Sequence, residues 1–354
     1  MSKRRWWLVA LLSVVALLGA ACGSDDDGGA VSDDEETTTT TAKPNFAAGT
    51  TMAALQGKGK IRVGTKFDQP GFGLKNPTSG EVEGFDVEIA KLVAQAIYGG
   101  SLDGIDANIE FVEAVSKNRE PFIQDGTVDI VVATYTINDT RKQVVDFAGP
   151  YFVAEQDIMV KSDDTSIKSV TDLNGKKVCT VKGSTSEKNV RAQAPRADVV
   201  LFDTYSLCAE ALGDGRVVAV TTDNTILQGL VKASSNAYKL VDAPFSEEPY
   251  GIGLKKGDDA FRDFLNDTLE KIFENGEWGK AFDRTLGKDG LGLKTPETPE
   301  VDRYTSAGAG GTTTTAGGTG TGSGSGGTTS TTRSGSSATT GSTTSTTART
   351  TTTY

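Results

Sequence analysis

Apolar positions follow two alternating spacings between about residues 56 and 300. Lys60–Thr65 and the nearly continuous apolar run Val128–Ala133 predict strands, the latter buried on both faces of a sheet. Between them, residues 84–97 place apolar groups three and four positions apart, which predicts an amphipathic helix packed on that sheet. Strands that alternate with helices indicate β-α-β units and a mostly parallel sheet. The predicted fold class is therefore α/β.

The same alternation continues in the second half of the chain. The predicted strands there are 157–160, 177–181, 199–202 and 217–221, with helices starting near Ser184, Ser206 and Asn224. A last helix is predicted over 258–276, because an aspartate stands at its start, an apolar stripe follows and Gly276 stops it. Trp278, Phe282 and Leu286 are expected to complete its packing.

Two segments lack this apolar pattern. Residues 23–45 are acidic, rich in threonine and almost free of large apolar groups, so we expect a disordered tether that spans residues 22–55. Residues 305–354 are nearly all glycine, serine and threonine, which predicts a second disordered segment.

The first 21 residues are typical of an export signal. Basic residues 3–5 precede an apolar run that is too short for an ordinary membrane span, and small residues then lead to Cys22. This ending resembles a bacterial lipobox, although Leu18 stands four positions before the cysteine, where the usual pattern has a leucine three before it. We expect Cys22 to be lipidated and to anchor the protein to the extracytoplasmic face of the cell membrane. Cleavage elsewhere, with Cys22 discarded, is the alternative.

Composition excludes several kinds of chemistry. The chain contains no histidine, which removes Ser-His and Cys-His pairs and imidazole metal ligands. Neither a P-loop nor a dinucleotide-binding glycine motif is found, so we expect no cofactor and no metal. A formal net charge of −11 is a poor match for nucleic acid. In an exported chain Cys179 and Cys208 predict a disulfide, with two buried free thiols as the alternative.

Polar side chains follow several of the predicted strands. In open α/β sheets, ligands bind beyond the carboxyl ends of strands, next to helix N-termini. An arginine fork there binds a carboxylate, an aspartate accepts from an ammonium group, and a lysine favours a second negative group on the ligand. This chemistry predicts a free amino acid, glutamate or aspartate first, bound by Lys66, Thr134, Thr136, Arg141, Ser184, Thr185 and Asp223.

Each of these residues has a simpler interpretation when it is taken alone. Arg141 would form a surface ion pair, and Lys66 would be solvated. Ser184 and Glu187 match a capping box, and Asp223 stands where the N-cap of the next helix is expected. Their joint placement at strand ends favours the binding interpretation.

Motifs over residues 57–290 resemble the bacterial extracellular solute-binding proteins of family 3, the amino-acid receptors of ABC importers. They are KIRVGT, GFDVEIA, GTVDIVVATYTINDTR, VVDFAGPYF, VKGSTS, TTD and YGIGLKKG. Within the family, the chain looks most like actinobacterial glutamate-binding lipoproteins.

The resemblance implies a periplasmic-binding-protein-like fold of type II, in which the ligand binds in a cleft between two lobes. Two hinge crossings are expected near residues 151–155 and 246–250. Lobe 1 would then comprise residues 56–151 plus 250–300, and lobe 2 residues 155–246.

The resemblance also gives roles to single residues. Arg141 is similar to the family's carboxylate-binding arginine and Thr136 to its partner, with Thr134 lining the pocket. Asp223 resembles the ammonium-binding aspartate, and Lys66 would read a side-chain carboxylate. Ser184 and Thr185 match the helix-start loop of the second lobe. Phe85 matches an aromatic residue that flanks the ligand, with core packing as the alternative.

The expected function is that of a receptor without enzymatic activity. It would act as a monomer and deliver an amino acid to ABC permease and ATPase subunits on separate chains. Three alternatives stay open: presentation of the ligand to a membrane signalling partner, binding of glutamine or asparagine, and an enzyme active in the cleft.

Overall fold

The computed structural model describes residues 41–304. Within them the α-helices are α1 (Thr51–Lys58), α2 (Phe85–Tyr98), α3 (Arg119–Gln124), α4 (Asp139–Lys142), α5 (Thr185–Gln193), α6 (Tyr205–Gly213), α7 (Asn224–Ala233), α8 (Asp259–Glu274) and α9 (Glu277–Thr285). The strands are β1 (Ile61–Thr65), β2 (Asp68–Gln69), β3 (Gly73–Lys75), β4 (Val82–Glu83), β5 (Ile109–Glu113), β6 (Ile130–Val131), β7 (Val145–Lys161), β8 (Lys177–Val181), β9 (Asp198–Phe202), β10 (Ala219–Asp223), β11 (Tyr238–Leu240) and β12 (Ser246–Lys255).

The main sheet has nine strands in the order β5-β1-β6-β12-β7-β10-β8-β9, with β11 also paired to β7. Its two ends are parallel groups, β5-β1-β6 and β10-β8-β9. Between them β7 and β12 pair antiparallel, from Val145 opposite Lys255 to Gln156 opposite Ser246. We call the half built on β5-β1-β6 the first lobe and the half built on β10-β8-β9 the second lobe. Among the strands of residues 41–304, only β7 and β12 belong to both.

Helical structure begins earlier in the described residues than the apolar pattern predicts. Residues 51–55 were expected in a tether, but they open α1, which Thr50 caps and which buries Met52 and Leu55. Thr41 also pairs its backbone with Gly100. The segment offers few apolar side chains, and they become buried only because α2 and α8 supply the surface against which they pack. The expected export signal, Cys22 and the 305–354 segment lie outside the described residues.

An aromatic cluster forms the centre of the first lobe. The indole nitrogen of Trp278 donates to the carbonyl oxygen of Tyr151 at 2.8 Å, and its ring stacks on Phe282 with centroids 5.5 Å apart. The predicted last helix is confirmed as α8: Asp258 caps it, and Phe261, Leu265, Leu269 and Ile272 form its buried stripe. The helix α9 then adds Trp278 and Phe282 to the core, as expected.

A disulfide joins Cys179 on β8 to Cys208 on α6, with the sulfur atoms 1.95 Å apart. It fixes α6 to the sheet of the second lobe. Among residues 41–304, no helix combines the length and the apolar character needed to cross a membrane.

Replacing both cysteines by alanine should lower the free energy of unfolding by about 3 kcal/mol, because the bridge closes a loop with a sequence separation of 29 residues. Urea unfolding followed by circular dichroism measures the change. As the control, a reducing agent should lower the midpoint of the wild-type protein and leave that of the double variant unchanged. Equal insensitivity of both proteins to the reducing agent would contradict the expected contribution of the bridge.

Candidate functional site

A small polar cavity lies between the two lobes, beyond the ends of their strands. Its walls include most of the residues predicted from strand ends, namely Thr134, Thr136, Ser184, Thr185 and Asp223. Thr134 and Thr136 follow β6 in the first lobe. Ser184 and Thr185 follow β8 at the start of α5, and Asp223 ends β10, so these three belong to the second lobe. The cavity therefore brings together side chains from both lobes.

Asp223 carries the negative charge of this wall, and it is only 4% exposed. The hydroxyl of Tyr250 donates to its Oδ2 at 2.5 Å, while Oδ1 is buried and has no hydrogen-bond partner among residues 41–304. The residue occupies the N-cap position of α7, but its side chain makes no capping hydrogen bond. Burial, followed by the charge of Glu248, raises the pKa of Asp223 to about 7. Oδ1 is thus a buried acceptor that a cationic group in the cavity would satisfy.

Lys66 lies behind the cavity wall and is joined by a hydrogen bond to Ser116, which lines the cavity. It follows β1 and is 3% exposed, and its Nζ donates to the Ser116 hydroxyl at 2.9 Å. Burial is the main reason that the pKa of Lys66 falls to about 7, and the nearby charge of Arg119 lowers it further. The solvated alternative for this lysine is therefore wrong, since the side chain is buried beside the cavity.

Arg119 lines the cavity, although the strand-end pattern had not singled it out. Its Nη1 donates to the carbonyl oxygens of Ala133 and Thr134 at 3.0 and 3.1 Å, and its Cζ lies 4.3 Å from the centre of the Tyr135 ring. Ser116, Ser186, Tyr205, Thr222 and Ile226 also line the cavity. Ser116 and Arg119 follow β5, so counting the end of that strand with the others would have found them.

Arg141 is buried behind Thr136 and is not part of the cavity wall. Its Nε donates to Glu120 at 3.0 Å, its Nη1 to the carbonyl oxygen of Thr136 at 2.6 Å, and its Nη2 makes a long contact of 3.4 Å with the carbonyl oxygen of Gly183 in the second lobe. Its side chain is 6% exposed, which contradicts the surface interpretation of the ion pair. Burial lowers the pKa of Arg141 to about 10. Its carboxylate-binding role stays a prediction.

Thr134 holds an unfavourable backbone conformation, with φ at 45°. Asp86 of the GFD motif holds it there, since Oδ2 accepts from the Thr134 amide at 2.8 Å while Oδ1 accepts from the Tyr151 hydroxyl at 2.6 Å. Burial raises the pKa of Asp86 to about 7. A left-handed threonine costs roughly 1–3 kcal/mol, so this buried pairing is what keeps the turn in place.

Phe85 is the one predicted site residue that the structure places in the core. It is fully buried, and its ring packs against those of Trp278 and Phe282 with centroids 5.7 and 5.9 Å away. The ligand-flanking expectation is therefore corrected in favour of the core-packing alternative. Phe85 is the first residue of α2, and its ring packs between that helix and α9.

Ser184 caps α5 as its sequence suggested. Its hydroxyl oxygen accepts from the Glu187 amide at 3.0 Å, and a Glu187 carboxylate oxygen accepts from the Gly183 amide at 3.1 Å. The capping interpretation therefore holds, while the residue also lines the cavity. Thr185 also lines the cavity, and its hydroxyl donates to Oε2 of Glu248 at 2.7 Å.

Contacts between the lobes show that the cleft is closed. The Lys117 ammonium lies 2.6 Å from the Asp203 carboxylate. Asp68 in the first lobe accepts from the amides of Tyr205 and Ser206, at 2.9 and 3.3 Å, and so caps α6 of the second lobe. Gly183, at φ +79°, approaches Lys117 so closely that a Cβ there would lie 2.9 Å from the lysine Cα.

Within residues 41–304, no cluster of three or more cysteine, aspartate or glutamate side chains is placed to hold a metal ion. The chemistry of the cavity is instead that of hydrogen bonds and charges. Lys66, Arg119 and Arg141 lie on its first-lobe side, and Asp223 lies on its second-lobe side. Opposite charges on the two sides of a cavity are complementary to a small zwitterion.

The chain is similar to known amino-acid-binding proteins. Residues 61–288 match the family model of the bacterial extracellular solute-binding proteins, family 3. The chain is 43% identical over 240 residues to the ABC transporter glutamine-binding protein GlnH of Bacillus subtilis, covering 68% of this chain and 85% of that protein. It is 40% identical over 247 residues to the glutamate-binding protein GluB of Corynebacterium glutamicum, covering 68% and 82%.

Among solved structures, the chain is similar to an ancestral arginine-binding protein bound to glutamine, with 39% identity, a TM-score of 0.59 and coverage of 65% of this chain and 98% of that one. A cysteine-binding protein from Campylobacter jejuni gives a TM-score of 0.63 at 27% identity, with coverage of 68% and 94%. These likenesses confirm the two-lobed, type II periplasmic-binding-protein-like fold. They join proteins that bind different amino acids, so the fold alone does not define the ligand.

The raised pKa of Asp223 predicts how Asp223→Asn changes stability with pH. An aspartate in the unfolded chain titrates near 3.9, whereas Asp223 in the folded protein titrates at about 7. Between these values Asp223 in the folded protein retains a proton that the unfolded chain releases, so this carboxyl lowers wild-type stability progressively as pH rises from about 4 to 7. The asparagine variant lacks this loss. Its stability relative to wild type should increase by at least about 1 kcal/mol between pH 4 and pH 8.

Chemical unfolding of the ligand-free proteins at several pH values measures this difference. The control is Asp198→Asn, which alters an exposed aspartate on β9 of the same lobe. If Asp223→Asn gives a flat difference like that of the control, Asp223 is not the buried, destabilising carboxylate described above.

Proposed function

Because the chain belongs to the bacterial extracellular solute-binding proteins of family 3, we propose that it binds a free amino acid between its lobes and delivers it to an ABC importer. The permease and ATPase subunits would be separate chains. The observation that carries the proposal is Asp223 Oδ1, a buried acceptor without a partner among residues 41–304, in a cavity that Arg119 also lines. An α-amino acid supplies both a donor for the aspartate and a carboxylate for the arginine.

The ligand we propose first is glutamate, with aspartate next. Lys66 and Arg119 are both buried, and both contact Ser116, the lysine at its hydroxyl and the arginine at its carbonyl oxygen. With Arg119 paired to the main-chain carboxylate, a side-chain carboxylate beside Lys66 would offset the desolvated charge of this lysine, which a carboxamide does less well. The similarity to a glutamate-binding relative supports the same choice.

Glutamine is the second candidate, since the chain is also 43% identical to a glutamine-binding relative. The lowered pKa of Lys66 is compatible with it, because a neutral amine would accept a hydrogen bond from a carboxamide. Asparagine would be recognised in the same way as glutamine. The charge of Lys66 therefore decides between the two classes of ligand.

We further propose that opening and closing occur where β7 and β12 pass between the lobes, near residues 151–155 and 246–250. Lobe 1 would comprise 56–151 plus 250–300, extended at its start by α1, and lobe 2 would comprise 155–246. The lobes approach each other through side chains and loops such as Lys117 and Asp203, which a rotation about two strands would separate. Ligand would favour the closed form because it contacts both lobes only there.

We propose that the protein acts at the outer face of the membrane, where a lipid on Cys22 anchors it. We also propose that it acts as a monomer. Binding without turnover is proposed as well. A related structure, an ancestral amino-acid-binding protein described as a precursor of cyclohexadienyl dehydratase, is 30% identical with a TM-score of 0.60. Turnover of the bound amino acid would therefore be the finding that moves this protein into the enzyme class.

Titration calorimetry of the purified full-length protein with each common amino acid tests the proposal. Glutamate or aspartate should bind with a dissociation constant of about 1 μM or lower, near −8 kcal/mol. Arg119→Ala should weaken binding roughly 10- to 100-fold, because Arg119 lines the cavity and its loss removes a charge-assisted contact with the ligand. Arg141→Ala should weaken binding by a similar factor if Arg141 binds the carboxylate as the family resemblance implies. The matched control is Arg191→Ala, an exposed arginine on α5. Millimolar dissociation constants for every amino acid would end the amino-acid proposal.

Lys66 predicts a pH dependence of glutamate binding. Its pKa of about 7 in the free protein should rise when a carboxylate binds nearby, so Lys66 takes up a proton on binding above pH 7, where Asp223 is increasingly ionised already. The affinity for glutamate should then fall several-fold from pH 7 to pH 9. Lys66→Gln should remove this dependence and lower the preference for glutamate over glutamine at least about tenfold.

Calorimetry in buffers with different ionisation enthalpies measures the proton uptake directly. If Lys66→Gln leaves the ratio of the two affinities unchanged, Lys66 does not read the ligand's side chain. The amino-acid proposal itself would survive that result, since it rests on Asp223 and Arg119.

A further inference from the structure

Glu248 is a buried carboxylate that lies within a strand, away from the carboxyl ends of strands. It lies on β12 opposite Ala154 of β7, where these strands pass between the lobes, and it is only 1% exposed. It stands two residues before Tyr250, whose hydroxyl donates to Asp223. A carboxylate this deeply buried is costly unless donors surround it.

Four donors surround the Glu248 carboxylate, and two of them come from opposite lobes. Its Oε2 accepts from the hydroxyl of Thr136 in the first lobe and from the hydroxyl of Thr185 in the second, each at 2.7 Å. Its Oε1 accepts from the Ser246 hydroxyl at 2.6 Å and from the Asn189 amide at 2.9 Å. One carboxylate oxygen therefore bridges the two sides of the cavity.

This bridge fixes the direction of the two threonine hydroxyls. A hydroxyl has a single proton to donate, and both Thr136 and Thr185 give theirs to Glu248. Both residues also line the cavity, with their hydroxyl oxygens 3.4 Å apart. Toward the cavity these oxygens offer only lone pairs, so they accept hydrogen bonds from a ligand and do not donate to its carboxylate.

We propose that Glu248 is a positioning residue for the ligand's ammonium group, because it turns the Thr136 and Thr185 hydroxyls so that their oxygens accept from that group beside Asp223. The proposal rests on the proposed function of amino-acid binding. It assigns Thr136 to the ammonium group, whereas the family resemblance had implied a contact with the carboxylate. The carboxylate then falls to the arginine side of the cavity.

The charges of the cavity agree with this assignment. Glu248 and Asp223 are close enough that the charge of Glu248 contributes to the raised pKa of Asp223. Two carboxylates at the same end of a buried cavity repel each other, and a cation bound between them relieves that repulsion. On the other side of the cavity, Arg119 provides the positive charge for the ligand's carboxylate.

The substitution Glu248→Gln tests the proposal because it keeps the shape of the side chain. The amide has one acceptor oxygen and one donor group. If the amide oxygen of the glutamine faces Thr136 and Thr185, its NH2 group faces the Asn189 amide and the Ser246 hydroxyl, which are themselves donors. In the opposite orientation, the two threonine hydroxyls lose their acceptor. We expect the dissociation constant for glutamate, measured by calorimetry, to rise at least about tenfold.

The matched control is Glu247→Gln, which removes the same charge from the neighbouring, exposed position of β12. It should bind glutamate within about twofold of wild type, since an exposed charge contributes little. Equal affinities for Glu248→Gln and Glu247→Gln, with a wild type that binds glutamate, would overturn the proposal for Glu248 alone. A wild type that binds no amino acid would overturn the proposed function, and this inference with it.

A double-mutant cycle separates positioning from a purely structural role. Thr136→Val removes the hydroxyl that Glu248 is proposed to orient. If orientation is the role, the losses of Glu248→Gln and Thr136→Val will not multiply, and the double variant will bind about as weakly as the weaker single variant. Losses that multiply would mean that Glu248 acts on affinity without Thr136, which would overturn the proposal.

Discussion

The antiparallel pairing of β7 with β12 is the constraint on which the rest of the structure depends. These strands alone belong to both lobes among the described residues, and they run side by side from Val145 to Gln156. Because they pass beside the cavity, they position Glu248 and Tyr250, which hold cavity residues through hydrogen bonds. The proposed rotation about this strand pair would move each lobe as a unit. The distances within each wall of the cavity would then be kept, while the distance between the walls would change.

Buried charge is the second theme of the site. Lys66, Asp86, Asp223 and Glu248 are each at most 4% exposed, and each has at least one hydrogen-bond partner that is distant in the sequence. Asp86 and Glu248 accept enough hydrogen bonds to be held without help, whereas Asp223 keeps one oxygen free. A zwitterion would be a favourable ligand, because its ammonium group would donate to the Asp223 oxygen that has no donor among the described protein groups.

The sequence predicted the features that depend on local pattern. Strand ends located five of the cavity residues, and the stripe of α8 was clear because a long helix repeats its spacing many times. Features that depend on tertiary contacts were harder to predict. The burial of Met52 exists only because other helices cover it, and Phe85 fits either a ligand wall or a core until α9 is placed against it. Glu248 sits within a strand, where a polar residue in the alternating pattern is usually exposed.

The cap that Asp68 places on α6 has a consequence for how such a receptor changes over evolutionary time. The aspartate contacts the backbone amides of Tyr205 and Ser206, and backbone amides are the same whatever side chains those positions carry. Mutations at the cavity face of α6 would therefore alter which ligand fits while leaving this closing contact intact. Ligand preference would then change through side-chain substitutions. The proposed closing movement, by which a partner protein would detect the bound ligand, would be inherited unchanged.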